Sequence, residues 1–104
     1  MSVEKPYSEE DASSSILEVP KEPPLYRVLL HNDDYSTMDF VVEILQVVFY
    51  KSVEEAVQIM LNVHQQGIGV CGVYTFEVAE AKVDTVHSLA GGRGFPLKCS
   101  MEKE

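Results

Sequence analysis

The sequence is short of cysteine and of positive charge. Its 104 residues include 2 cysteines and 8 Lys and Arg against 17 Asp and Glu, for a net charge of −9. No apolar run approaches the length of a membrane span. Cys71 and Cys99 form no C-x-x-C pair, and no histidine follows at zinc spacing, which argues against a metal framework. Each lies in an apolar stretch, so both read as buried free thiols of a reducing compartment. The charge argues against nucleic acid, whose phosphates such a surface repels. It suits a cationic or neutral partner, or solubility alone. Residues 1–15 are acidic with no apolar centre, so neither a secretory signal nor a transit peptide is expected and the cytoplasm is the expected compartment. There is no internal repeat.

The length allows one domain, and 45% hydrophobic with 24% charged residues is ordinary for a folded one. Residues 1–24 differ from the rest. They hold six acidic residues, two basic residues and four of the five prolines, and they read as a disordered acidic arm. Residues 25–104 form the expected core domain. Leu25 to Leu30 reads as a strand with Tyr26, Val28 and Leu30 on one face. A helix is expected from Ser36, capped by that serine with Asp39 three residues on. Val41, Ile44, Leu45 and Val48 form its apolar face.

Ser52-Val53-Glu54-Glu55 is a capping box opening a second helix. Val53, Val57, Met60, Leu61 and His64 are expected to share its face, and Gly67 to stop it. Residues 68–74 read as a second strand. Thr75 is expected to cap a third helix with Ala79, Val83, Val86 and Ala90 on one face. Gly91 to Gly94 reads as a turn, and Phe95 to Met101 as a short edge strand broken by Pro96. The order is β-α-α-β-α-β. The fold class is α+β, two-layer, with three helices packed on a small three-stranded antiparallel sheet.

Between the first strand and helix lies His31-Asn32-Asp33-Asp34-Tyr35. Asn and Asp are common after strands because they hydrogen-bond their own backbone, and turn chemistry alone accounts for them. His64 adds a second element. If the first two helices pack antiparallel, the loop approaches the last turn of the second. Asn32, Asp33, Asp34 and His64 then surround one point beside Met38, Val41 and Met60. A primary ammonium has three N–H donors, and an amide oxygen, a carboxylate and a neutral imidazole supply three acceptors. A metal ion favours the same donors, which leaves a metal-dependent hydrolase using Asp33, Asp34 and His64 as an alternative. No Ser or Cys nucleophile and no phosphate loop accompany the histidine. A purely structural interaction domain is also open, since a fold licenses no function. His31 and His87 read as a strand-end and a helix-surface residue.

Several ordered motifs together resemble ClpS, the N-end-rule adaptor family of the Clp ATP-dependent protease. They are Asn32-Asp33-Asp34-Tyr35, Met38-x-Phe40-Val41, Met60-x-x-Val63-His64-x-x-Gly67, Cys71-Gly72-Val73-Tyr74-Thr75-x-Glu77-x-Ala79-Glu80-x-Lys82-Val83 and Pro96-Leu97-x-Cys99. The likeness runs from about Leu25 to Glu102. It implies a bacterial, cytoplasmic adaptor without catalytic residues, cofactor or metal, and without nucleic-acid or membrane partners. Its substrates are N-degron proteins whose first residue is Leu, Phe, Tyr or Trp, which it delivers to a ClpA-type AAA+ unfoldase. By the resemblance, Asn32, Asp33 and His64 hold the free α-amino group, and Asp34 and Ser36 support the loop or contact the peptide backbone. Val41, Met60, Val63 and Leu97 line the side-chain pocket, and Met38 at its mouth excludes β-branched first residues. Glu77, Glu80 and Lys82 face the unfoldase's N-terminal domain, and the arm takes part in handing over the substrate. Ser36-Thr37 stands where the family often has Thr-Pro, so the start of the first helix lacks proline's fixed φ.

Overall fold

A computed structural model describes residues 22–104. The arm expected over residues 1–24 lies, apart from its last three residues, outside them. The elements are β1 (Leu25–His31), α1 (Met38–Val47), α2 (Val53–Gln66), β2 (Ile68–Thr75), α3 (Phe76–Arg93) and β3 (Lys98–Lys103). The three strands form one sheet in the order β2-β1-β3, with both pairings antiparallel. This is the expected α+β arrangement. The central strand is the most apolar: Val28 and Leu30 are fully buried and Leu29 nearly so. In the β1–β2 ladder Val28 pairs with Gly72 and Leu29 with Val70, so Cys71 is one residue extra, a bulge on the edge strand.

Helix α3 contacts all three strands, α2 packs beside β2, and α1 packs on α2. Phe40, Ile44 and Leu45 carry α1 into a core shared with Val28, Leu30, Cys71, Val86 and Cys99. The expected stripe of α1 is therefore correct, and Val41 and Val48 are buried with it. Both cysteines are free and buried. They sit on β2 and β3 with β1 between them, about 10 Å apart across two strand spacings, beyond the reach of a disulfide. Burial pushes the Cys99 thiol up to about 12 and raises that of Cys71 as well. Neither is a reactive nucleophile.

Several boundaries differ from expectation. Thr37, not Ser36, caps α1: its Oγ1 accepts the Phe40 N–H at 3.1 Å. The shift arises because the Asp33 carboxylate takes the Tyr35 and Ser36 amides, which keeps Ser36 in the preceding turn. With the cap moved, Phe40 occupies the third helical position and Asp39 completes no capping box. In α2 the capping box of Ser52 and Glu55 is present in both directions, but its buried residues are Ala56 and Val63, with Ile59 and Met60 partly buried. Val53 and Val57 are exposed, and so is His64. The face is turned because Ala56, with no side chain beyond Cβ, allows close approach to the core where Val53 and Val57 would hold the helix off.

Thr75 precedes α3 with extended backbone, but its side chain makes no capping bond. The expected glycine turn is helical as far as Arg93. The stop is Gly94, at φ 75°, after which the Phe95 N–H returns to Ala90 O at 2.9 Å. Pro96 lies outside β3, which begins at Lys98. The His31 ring bonds Ser100 Oγ at 2.6 Å across the β1–β3 ladder. His87 is more than a surface residue, since its Nε2 accepts the Cys99 N–H at 3.0 Å and pins α3 to β3.

Gly69 fixes the distance between β2 and α2. A Cβ there would lie 2.7 Å from Val63 Cγ2 and 3.4 Å from Ile59 O. Valine's stiff χ1 cannot swing clear cheaply. Gly69→Ala is expected to cost about 1–3 kcal/mol, read as a lower Tm in a thermal melt.

Candidate functional site

The two elements that sequence spacing could join only conditionally are joined by one backbone hydrogen bond. Gly67 ends α2 in the left-handed region at φ 87°, where glycine pays no Cβ penalty. Its N–H closes on Val63 O, and its own carbonyl accepts the Asn32 N–H at 2.9 Å. The loop after β1 is thereby held against the last turn of α2.

Between them lies a cavity of about 230 Å³. The loop supplies Asn32, Asp33, Asp34 and Ser36, α1 supplies Met38 and Val41, and α2 supplies Met60, Val63 and His64. Val41 and Val63 are buried and form the apolar wall, while Met38 is 47% exposed and stands at the rim. The cavity is polar where the loop and His64 meet, and apolar where the helices meet.

Asp33 organises the loop. Its Oδ1 accepts the Tyr35 N–H at 2.8 Å and the Ser36 N–H at 2.7 Å. Burial by itself would raise its carboxyl. The Ser36 amide and nearby hydroxyl and the Tyr35 amide outweigh this and hold it below the usual carboxylate value. The second oxygen, Oδ2, and the Ser36 hydroxyl are both buried without a hydrogen-bond partner among the described residues. Buried polar atoms are nearly always paired, and both of these belong to residues that line the cavity.

Nine of the ten residues expected at the amino site and side-chain pocket line this one cavity. Leu97 does not. It is 3% exposed and packs in the core, as Val41 and Val63 of the cavity wall also do. Asp33, Asp34 and His64 share the cavity, yet among the described residues no three His, Cys, Asp or Glu side chains are grouped to hold a metal ion. Glu77 and Lys82 line a second cavity, of about 380 Å³, between α1 and α3. Glu80 is exposed on α3 and lies outside its lining. Sequence reasoning missed Gly69, whose signal was a glycine inside a strand pattern.

Fold and site together define a small α+β binding domain whose cavity sets hydrogen-bond acceptors against an apolar wall. Comparison with known proteins makes this specific. The family model for the ATP-dependent Clp protease adaptor protein ClpS matches residues 21–100. A ClpS adapter protein from Desulforapulum autotrophicum is 59% identical over the whole of both chains. One from Desulfatibacillum aliphaticivorans is 68% identical over 82 residues, 79% of each chain. The solved structure of Agrobacterium tumefaciens ClpS2 bound to L-phenylalaninamide superposes with a TM-score of 0.77 at 36% identity, covering 80% of this chain and all of that one. The chain belongs to the ClpS family of Clp protease adaptors. Among the described residues no helix is long and apolar enough to cross a membrane.

Proposed function

We propose that this adaptor binds the free α-ammonium group and bulky first side chain of a substrate protein, with Leu, Phe, Tyr or Trp in first place. It then delivers that substrate to a ClpA-type unfoldase. The observation that carries the reading is the division of the cavity. Asn32, Asp33 and His64 offer acceptors to a three-donor ammonium, and Val41, Met60 and Val63 offer an apolar surface to the side chain beside it. The unpartnered Asp33 Oδ2 supports it. So does the ligand of the Agrobacterium protein, since L-phenylalaninamide carries a free α-amino group next to an aromatic side chain.

The test is fluorescence binding of a peptide series that differs only in its first residue, each with a free and an acetylated amine. Acetylation removes the charge and two donors, and binding should vanish; an acetylated Phe peptide that still binds sinks the proposal. The metal-hydrolase alternative is separated by repeating the series in chelator, where amine recognition is unaffected.

Met38 gives a specificity prediction. Standing half exposed at the rim, it is proposed to crowd a branch at Cβ. Met38→Ala is expected to improve binding of Ile- and Val-initiated peptides roughly tenfold or more, the scale of a one- or two-methyl discrimination. Unchanged ranking of Val against Phe would place the gate elsewhere.

A further inference from the structure

The apolar end of the first cavity depends on a residue that does not line it. Val63 lines the cavity yet is only 3% exposed, so most of its surface is packed against the protein behind it. Part of that backing is the bare backbone of β2 at Gly69, itself buried. A Cβ at Gly69 would meet three atoms of α2: Val63 Cγ2 at 2.7 Å, Ile59 O at 3.4 Å and Val63 N at 3.5 Å. Carbon atoms in contact rest about 3.5–4.0 Å apart, so the missing methyl lets Val63 stand about 1 Å further back than any other residue at 69 would allow.

Gly69 has little freedom to yield instead. It pairs with Leu30 in the β1–β2 ladder, and Ile68 before it pairs with His31. Two residues earlier, the Gly67 carbonyl is held by the Asn32 N–H at 2.9 Å. The Val63 backbone is tied as well, since its carbonyl accepts the Gly67 N–H at 2.9 Å. Valine in a helix keeps one strongly preferred χ1 rotamer, so its side chain does not swing aside cheaply. The core around it is close-packed. The open volume beside Val63 is the cavity, and a larger residue at 69 would therefore press the Val63 wall into it.

We propose that Gly69 is a positioning residue that sets first-residue specificity. By seating Val63 against bare backbone it fixes the depth of the apolar end, and so admits aromatic side chains as well as leucine. This rests on the reading of the cavity under Proposed function. The segment Gly67-Ile68-Gly69 then serves both ends of the site. Its first carbonyl holds the loop that carries the acceptors, and its last residue places the wall that meets the side chain.

The experiment measures fluorescence binding of free-amine peptides that differ only in a first residue of Leu, Phe or Trp. The proteins are the full chain, Gly69→Ala, Val63→Ala and the double substitution, each with a thermal melt. Gly69→Ala should weaken the Phe and Trp peptides roughly tenfold or more relative to the Leu peptide, the scale of one methyl group in an apolar pocket. Val63→Ala alone should shift the ranking the other way, toward Trp. Without the Val63 γ-methyls the new Cβ has room, so the double substitution should match Val63→Ala in both Tm and ranking. That comparison also decides the matter if Gly69→Ala alone fails to fold. An equal loss for all three peptides in Gly69→Ala overturns the proposal, since it marks a general loosening rather than a moved wall. An equal penalty for Gly69→Ala with and without the Val63 γ-methyls overturns it too, as does an unchanged ranking in Val63→Ala. If the unsubstituted chain binds none of the peptides, the reading of the cavity itself fails, and the inference with it.

Discussion

Replacing Asp33 by alanine is expected to abolish measurable binding of free-amine peptides, and replacing it by asparagine to weaken binding while sparing the fold. The two substitutions separate the two uses of one carboxylate. Oδ1 holds the loop through the Tyr35 and Ser36 amides. Alanine leaves both donors unpaired and the loop unsupported, at about 1–3 kcal/mol for each donor that stays buried. It also removes the charged acceptor proposed for the ammonium, a charge-assisted hydrogen bond worth about 1.5–3 kcal/mol. The lost charged bond alone is about ten- to a hundredfold in affinity, and the loosened loop adds to that loss. Asparagine keeps an oxygen for the two amides and loses only the charge, so a loss of about ten- to a hundredfold with a near-native Tm is the expected result. Equal affinity for wild type and Asp33→Asn would show that the charge is not used.

The pH dependence follows from the same bonds. Because they hold the Asp33 carboxyl below its usual value, the unfolded chain takes up this proton first as pH falls. The loop's contribution is therefore full above the unfolded carboxylate range and is lost as pH falls through the lower folded value. Asp33 is thus not the group that would make peptide binding fail in mildly acidic conditions.

Phe40→Ala is expected to be the most destabilising single substitution considered. Phe40 is 2% exposed, and its ring lies 4.9 Å from that of Phe95 and 4.9 Å from the Arg93 guanidinium carbon. Truncation removes the buried ring and leaves a cavity, at about 3–5 kcal/mol. A domain of this size has on the order of 5–10 kcal/mol to lose. A thermal melt should show Tm lowered by on the order of 20 °C. A fall of only a few degrees would mean that Phe95 and Ile44 collapse into the space.

Most of the fold was legible because its signals are local. The apolar stripe of α1, the capping box at Ser52 and the stop at Gly67 each need only a few neighbouring residues. What was misread depends on tertiary contact. Ser36 and Thr37 are equally good caps in isolation, and only the Asp33 turn decides between them. The spacing points to the large apolar residues of α2 as its inner face, whereas the small Ala56 is the one fully buried and Val53 and Val57 face out. Gly91 and Gly92 read as a turn by composition, yet only Gly94 takes the left-handed backbone that ends the helix. For the site, the loop and His64 were found by donor chemistry and a conditional geometry. Leu97 came with the family resemblance alone, since no local pattern in the sequence brings it to the loop. Tyr50 takes a positive φ of 56°, and such a backbone at a tyrosine has no compositional signature.

The bond from the Asn32 amide to the Gly67 carbonyl makes the two halves of the cavity a single unit of local unfolding. Fraying of the last turn of α2 releases the loop after β1, and release of the loop uncaps the helix end. If the proposed amino terminus binds here, it meets a loop already tied to α2, so little of its binding free energy would go into ordering the receptor. Amide hydrogen exchange at Asn32 is a direct clock for how often that unit opens.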